Sequence, residues 1–270
     1  MKGIKRITIT IASVLTVSGI AITVHAADTL RIGTDLTYPP YNYLVKHKAS
    51  GFDAEFMRMV AEQLNEEPKF MDTRFANLIM GINLNKFDVI ASTLYVTPAR
   101  AKQISYIPYM KTGGVILAPL SSTYEPKDVT DLCGKRVSSI QGAAWIQKLN
   151  QVSANQCVKQ GLEKIDVREF PTSPEASQAV IAGMVDAQIE DAAVAKEAAD
   201  KSGKLHITSP IVYPVVVGLG LKKGNSKLET KLKDAVAAVE KTDKFKALLK
   251  QYSVSVPDAQ EIDSALKGTL

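Results

Sequence analysis

Short apolar runs alternate with helical patterns twice along this chain, and no other feature restricts the fold as strongly. The first series occupies residues 30–91 and the second residues 136–208. Strands that alternate with helices predict a mainly parallel sheet flanked by helices. Each series is followed by a glycine-bearing run, at residues 113–119 and 215–221, and glycine allows the torsions that a crossing strand needs. We therefore predict an α/β fold of two lobes, joined by two hinge crossings.

The second crossing returns the chain to the first lobe. We predict that lobe 1 contains residues 27–113 and 216–252, and that lobe 2 contains residues 114–215. Residues 253–270 are polar and weakly patterned, so we expect a loosely packed C-terminal tail. Two lobes on a hinge can close over a small molecule, which predicts a ligand-binding cleft between them.

The N-terminal segment has the layout of a secretory signal peptide. Lys2, Lys5 and Arg6 precede an uncharged run over residues 7–24, and small residues end the segment. This order predicts a cleaved signal peptide over residues 1–26 and a periplasmic protein. An uncleaved membrane anchor is the alternative, because the run is near the length that spans a bilayer. Its Thr, Ser and Gly content argues against an anchor.

The charged residues exclude several classes of partner. The signal segment carries three of the 33 basic residues and none of the 28 acidic ones, so much of the formal net charge of +5 belongs to it. The lysines are spread along the chain without a basic patch interleaved with aromatics, so we expect no nucleic-acid partner. His47 and His206 are isolated, and no metal-ligand spacing or Ser-His-Asp order accompanies them. We expect a monomer without metal or cofactor.

Two cysteines, Cys133 and Cys157, are present. In an exported chain a lone pair of cysteines usually forms a disulfide, which here would close a loop of about 25 residues. Two buried free thiols are the alternative. Two cysteines without a nearby histidine cluster are too few for a zinc site.

A candidate binding site follows the buried strand at residues 87–91. Ser92 and Thr93 offer hydroxyls, Tyr95 stands beside them, and Arg100 comes shortly after. The planar guanidinium of arginine fits a carboxylate with two parallel hydrogen bonds, so this stretch predicts a carboxylate site. A strand, a turn and a surface arginine are the alternative interpretation.

Other candidate site residues stand near the ends of predicted strands. Asp35 and Tyr38 follow the first strand, and ligands of open α/β sheets collect at such carboxyl ends. Phe75 begins a short helix, where its ring could face the cleft or the core. Ala144 and Trp145 lie in the first turn of a later helix, whose backbone N–H groups can face an anion.

Five stretches, in the same order along nearly all of the chain after the signal segment, resemble the periplasmic solute-binding proteins of polar amino-acid ABC importers, the type II periplasmic binding proteins of family 3. They are RIGTDLTYPPYNY, GFDAEFMRMVAEQL, FDVIASTLYVTPAR, LCGKRVSSIQG and VDAQIED. The resemblance implies a two-lobed receptor that binds an amino acid or a related zwitterion, such as ectoine or an opine. It also implies delivery of that ligand to an ABC permease in the inner membrane.

The resemblance assigns a role to each polar candidate. Arg100 would hold the ligand α-carboxylate, assisted by Ser92 and Thr93, and Asp191 would take the α-ammonium. Asp35 would meet the ligand side chain. A closed cleft removes water from both charged ends of a zwitterion, which costs several kcal/mol per ion unless each end finds a partner.

The resemblance also assigns the aromatic residues, and here the chain departs from the family pattern. Tyr38 and Phe75 would sandwich the ligand. Tyr95 replaces the usual Ser or Thr, and Ala143 and Ala144 replace a frequent Ser/Thr pair. Together with Trp145, the tyrosines could form an aromatic cavity that attracts a cation with few hydrogen-bonding groups, as in relatives that bind ectoine or betaine-like solutes. The alternative is that Trp145 packs between the lobes and Tyr95 fills a smaller pocket.

An enzyme on the same architecture is the competing interpretation. Periplasmic dehydratases of the cyclohexadienyl dehydratase type resemble this fold and use a buried carboxylic acid. Glu190 beside Asp191 is the candidate acid, but neighbouring residues on a strand point to opposite faces, so Glu190 should face away from the ligand. We therefore predict a receptor and not an enzyme.

Overall fold

The strands and helices follow the predicted alternation. The computed structural model describes residues 28–270, and the predicted signal peptide lies outside the described residues. The elements of the first half are β1 Asp28–Thr34, β2 Thr37–Tyr38, β3 Asn42–Val45, β4 Lys48–Ser50, α1 Phe52–Leu64, β5 Glu66–Asp72, α2 Leu78–Asn83, β6 Val89–Ile90, α3 Pro98–Ala101 and β7 Ile104–Pro119. Those of the second half are β8 Arg136–Ile140, α4 Trp145–Val152, β9 Asp166–Phe170, α5 Ser173–Ile181, β10 Ala187–Asp191, α6 Ala192–Ser202, β11 Leu205–Ile207, β12 Tyr213–Lys222, α7 Ser226–Glu240, α8 Asp243–Tyr252 and α9 Ala259–Lys267.

One nine-stranded mixed sheet connects the two halves, in the order β5-β1-β6-β12-β7-β10-β8-β9, and β11 also pairs with β7. In the first half β1 runs parallel to β5 and β6, and in the second half β8 runs parallel to β9 and β10. The long strands β7 and β12 pair antiparallel between these parallel groups. The α/β prediction, with mainly parallel strands in each half and two crossing strands, is confirmed.

The first crossing strand is longer than the sequence indicated. β7 begins at Ile104 and includes Pro108, although a proline cannot donate a hydrogen bond to a neighbouring strand. The pairing register of β12 shifts between Val217 and Gly218, where Pro108 and Met110 are the successive partners. This bulge accommodates the proline, so the strand continues where the sequence pattern predicted a shorter one.

An aromatic cluster forms the core of the first half. The rings of Phe56 and Tyr109 stack with centroids 4.7 Å apart, and Phe245 packs 5.3 Å from Phe56. α1 begins directly after Gly51, whose φ of 104° places it in the left-handed region. A Cβ atom at Gly51 would lie 2.3 Å from the carbonyl oxygen of Tyr41, so only glycine fits this helix start.

The end of the chain is ordered, and the prediction of a loosely packed tail is wrong. Residues 259–267 form α9, which Asp258 and Glu261 begin with a capping box. Glu261 also pairs with Lys111 of β7 at 2.6 Å, and Ala265 is buried against Val96 and Val216. The Asp-x-x-Glu spacing of the capping box was readable in the sequence.

The disulfide prediction is confirmed, because Cys133 and Cys157 are bonded with their Cα atoms 5.5 Å apart. The bond ties the segment before β8 to the segment after α4. Over residues 28–270, none of the helices has the length and apolar character needed to cross a bilayer.

Candidate functional site

A narrow cavity of about 20 Å³ lies where residues of the two halves of the chain meet. It is lined by Tyr38, Phe75, Thr93, Tyr95, Arg100, Ile140, Ala143, Ala144 and Trp145. Most of the predicted site residues are therefore brought together. The sequence analysis did not single out Ile140, which ends β8, and its position at a strand end was the available signal. Asp35, Ser92 and Asp191 were predicted for the site but do not line the cavity.

Arg100 is the one charged residue in this lining. The short helix α3 presents it, with Pro98 in the first turn and the Thr97 side chain accepting a hydrogen bond from the Arg100 backbone N–H at 3.2 Å. The guanidinium donates to the carbonyl oxygens of Tyr95 and Gly142, each at 2.9 Å. It also lies 5.3 Å from the centroid of the Phe75 ring. The side chain is thus fixed in position, and a guanidinium carries further N–H groups for a ligand carboxylate.

Thr93 is held at the cavity wall by a buried carboxylate, that of Asp53, which the sequence analysis did not place at the site. Its backbone has a φ of 47°, and its backbone N–H and hydroxyl donate to Asp53 Oδ2 at 2.6 and 3.0 Å. Asn42 also donates to Asp53 Oδ2, at 2.7 Å, and the Tyr109 hydroxyl donates to the other oxygen. Burial raises the pKa of Asp53, and these hydrogen bonds oppose that effect.

Asp35 and Ser92 lie behind the cavity wall. Asp35 Oδ2 accepts from the backbone N–H of Phe75 at 2.8 Å, and Oδ1 is 2.9 Å from Arg74 and 2.6 Å from the Thr37 hydroxyl. The Ser92 hydroxyl accepts from the Asp35 backbone N–H at 2.9 Å. Asp35 therefore positions Phe75 and its side chain is not directed at a ligand in the cavity.

Asp191 reaches the cavity only through Tyr95. The Tyr95 hydroxyl donates to Asp191 Oδ2 at 2.6 Å, and the backbone N–H of Ala193 donates to Oδ1 at 3.0 Å. Asp191 is fully buried, and this burial raises its pKa, while the hydrogen bond from Tyr95 lowers it. The tyrosine side chain therefore stands between this carboxylate and the cavity.

Glu190 is bonded to the other cavity tyrosine. The Tyr38 hydroxyl donates to Glu190 Oε1 at 2.6 Å, and Gln188 donates to Oε2 at 3.0 Å. Ser173 donates a further short hydrogen bond to Oε2, and the Asp191 backbone N–H donates to Oε1 at 2.9 Å. Burial raises the pKa of Glu190 to about 7 in spite of these donors.

Trp145 packs its ring into the cavity wall. Its indole N–H donates to the Ser139 hydroxyl at 2.7 Å, and its ring meets that of Tyr95 edge to face, with centroids 5.6 Å apart. The side chain is fully enclosed by the protein, so its polar atom has a partner while one ring surface borders the cavity.

Replacement of Glu190 by glutamine should remove a pH dependence of stability. Because burial raises the pKa of Glu190 from 4.5 to about 7, the folded protein retains a proton that the unfolded chain has lost in this range. The free energy of unfolding of the unsubstituted protein should therefore fall, relative to that of Glu190→Gln, as the pH rises from 4.5 to 7. The expected change is about 3 kcal/mol at most. Urea unfolding of both proteins at about pH 4.5 and about pH 8 measures it, and parallel pH profiles would contradict it.

The sequence and the fold of this chain are similar to those of known proteins. The profile of the bacterial extracellular solute-binding proteins, family 3, matches residues 30–255. The L-cystine-binding protein TcyJ of Escherichia coli K12 is 26% identical over 227 residues, which cover 83% of this chain and 82% of the relative. The ABC transporter arginine-binding protein 1 of the same organism is 25% identical over 234 residues, covering 84% and 91%. An ancestral arginine-binding protein bound to arginine has 27% identity and a TM-score of 0.76, covering 84% of this chain and 99% of that structure.

Proposed function

Because this chain belongs to the bacterial extracellular solute-binding proteins of family 3, we propose that it is the substrate-binding component of an ABC importer. Its ligand is a polar or cationic amino acid, or a zwitterionic derivative such as ectoine or an opine. The protein acts in the periplasm after removal of residues 1–26 and hands its ligand to a permease in the inner membrane. The solved arginine-binding and glutamine-bound relatives support the amino-acid class.

One observation carries this proposal: Arg100 is fixed in a cavity that residues of both halves of the chain enclose. Its guanidinium donates to two backbone carbonyls, and the one of Tyr95, which belongs to the same proposed lobe, orients it before a ligand arrives. A pre-oriented guanidinium binds a carboxylate bidentately and adds geometric specificity. We therefore assign Arg100 as the anchor of the ligand carboxylate.

The proposed lobes, residues 27–113 with 216–252 and residues 114–215, would close over this cavity. Three hydrogen bonds join them there, from Tyr38 to Glu190, from Tyr95 to Asp191 and from Arg100 to the Gly142 carbonyl. β7 and β12 are the two strands through which the chain passes between the lobes. A ligand that contacts both sides would stabilise the closed arrangement.

The alternative, a dehydratase-like enzyme, is not favoured. The relatives reported above are binding proteins and not enzymes. Glu190, the candidate acid, accepts hydrogen bonds from four protein donors and does not line the cavity. A substrate in this cavity would therefore not touch Glu190, the carboxyl group whose pKa is raised.

A thermal-shift panel tests the proposed function. Purified residues 27–270 are heated with each amino acid, ectoine, an opine and several betaines at millimolar concentration. A ligand present at about 100 times its Kd stabilises by about 2.7 kcal/mol, which for a chain of this length raises Tm by roughly 5–10 °C. Recovery of the stabilising compound unchanged after incubation separates a receptor from an enzyme. If no compound in the panel raised Tm, the receptor function would be wrong.

A further inference from the structure

The buried carboxylates around the cavity all accept hydrogen bonds from the protein itself. A carboxylate has about four acceptor positions on its two oxygens. Glu190 fills them with donors from Tyr38, Ser173, Gln188 and the Asp191 backbone. No acceptor position on Glu190 remains for a ligand.

Asp191, the family's ammonium partner by resemblance, accepts one hydrogen bond on each carboxylate oxygen. Oδ2 accepts from the Tyr95 hydroxyl and Oδ1 from the Ala193 backbone. The hydroxyls of Tyr41 and Thr112 also act on this carboxylate and lower its pKa. A ligand ammonium in the cavity would have to displace Tyr95 to reach Asp191, and the displaced hydroxyl would then need a new partner.

The other two buried acids face away from the cavity. Asp35 pairs with Arg74 and accepts from Phe75 and Thr37, while Asp53 is enclosed by its own four donors. Among the lining residues the only formal charge is thus the positive charge of Arg100. The cavity complements a carboxylate and offers no anion to a second, cationic group.

Aromatic side chains, together with Thr93 and small apolar residues, form the rest of the lining that this second group would meet. The Phe75 ring already lies against the Arg100 guanidinium. Tyr38, Tyr95 and Trp145 complete the aromatic part of the lining, and the two latter rings meet edge to face. Ring faces attract a cation without accepting strong hydrogen bonds, so they suit a quaternary nitrogen. A primary ammonium would enter the same space with three N–H donors, and burying such donors unpaired is costly.

We infer that the ligand is a carboxylate whose cationic nitrogen carries no N–H group, a fully N-substituted zwitterion of the betaine class. This inference rests on the proposed receptor function and narrows its ligand. Arg100 binds the carboxylate, and Tyr38, Tyr95 and Trp145 surround the substituted nitrogen.

A methylation series tests the inference by isothermal titration calorimetry on residues 27–270. Glycine, N-methylglycine, N,N-dimethylglycine and glycine betaine differ only in how many N–H groups are replaced by N-methyl groups. Proline and proline betaine repeat the comparison on a larger frame. Affinity should rise along the series, and each betaine should bind at least about thirtyfold tighter than its parent amino acid. The analogue 3,3-dimethylbutyrate keeps the carboxylate and the shape of glycine betaine but has a neutral quaternary carbon in place of the cationic nitrogen, and it should bind at least about tenfold more weakly than the betaine.

The outcomes distinguish a failure of this ligand inference from a failure of the proposed receptor function. If glycine or proline, or any primary amino acid of the thermal-shift panel, bound more tightly than the betaines, the inference would be overturned and the receptor function would stand. Equal affinity for 3,3-dimethylbutyrate and glycine betaine would also overturn it, because the aromatic faces would then contribute only apolar contact. Binding of no compound of either set would overturn both.

Discussion

Arg100→Ala should abolish measurable ligand binding. The guanidinium is the only cation in the cavity lining, and it is held in place by the Tyr95 and Gly142 carbonyls. Removing one partner of a buried charge pair costs about 3–5 kcal/mol, because the other charge is left unpaired away from water. The affinity for any carboxylate ligand should therefore fall by about two hundredfold to five-thousandfold. Calorimetric titration with the best compound of the thermal-shift panel measures the loss.

Two further variants show whether the loss is specific. Arg100→Lys keeps the charge but not the bidentate fork, so its affinity should lie between that of Arg100→Ala and that of the unsubstituted protein. Arg58→Ala is the matched control, since Arg58 packs over Phe70 and bonds to the Ala49 carbonyl, apart from the cavity lining. It should bind as the unsubstituted protein does. A folded Arg100→Ala protein whose affinity stayed within tenfold of the original would contradict the assignment of the carboxylate anchor.

Local sequence patterns were sufficient to predict the strand ends at which the site residues lie. The buried strand before Ser92 and Thr93, the proline that begins the turn of Arg100, and the helix start at Trp145 all occur where periodicity and turn residues placed them. Strand ends of a parallel sheet lie at a common edge, so these residues could be expected to meet. The cavity lining was therefore largely predictable as a set.

The partners of the acidic residues were not predictable in this way. Tyr95 and Asp191 are separated by 96 positions, and Tyr38 and Glu190 by 152, so no local pattern relates them. The resemblance to the family suggested that Asp191 is free to bind an ammonium, whereas the structure gives its Oδ2 atom to Tyr95. Such pairings depend on how the two halves of the sheet come together through β7 and β12.

Tyr95→Ser should convert the site from a betaine site to an amino-acid site. The substitution removes the hydroxyl that occupies Asp191 Oδ2 and the ring that separates this carboxylate from the cavity. An ammonium that carries N–H groups, such as that of proline, could then pair with Asp191 while Arg100 holds the carboxylate, and the aromatic contact with a quaternary nitrogen would be reduced. If the original preference is at least about thirtyfold for proline betaine over proline, the variant should prefer proline. The expected change in the ratio of the two Kd values is about a thousandfold.

Tyr95→Phe provides the matched control for this switch. It keeps the ring, so the cavity stays aromatic and Asp191 stays covered, but it leaves Asp191 without one of its donors. The preference for the betaine should persist, and the free energy of unfolding should fall by about 1–3 kcal/mol. Tyr95→Ser also leaves an empty space at a buried position, which lowers stability. The Tm of this variant is therefore measured first, and the titrations with proline and with proline betaine are performed well below that temperature. A folded Tyr95→Ser protein that still preferred proline betaine would show that the Tyr95 side chain does not set the ligand class.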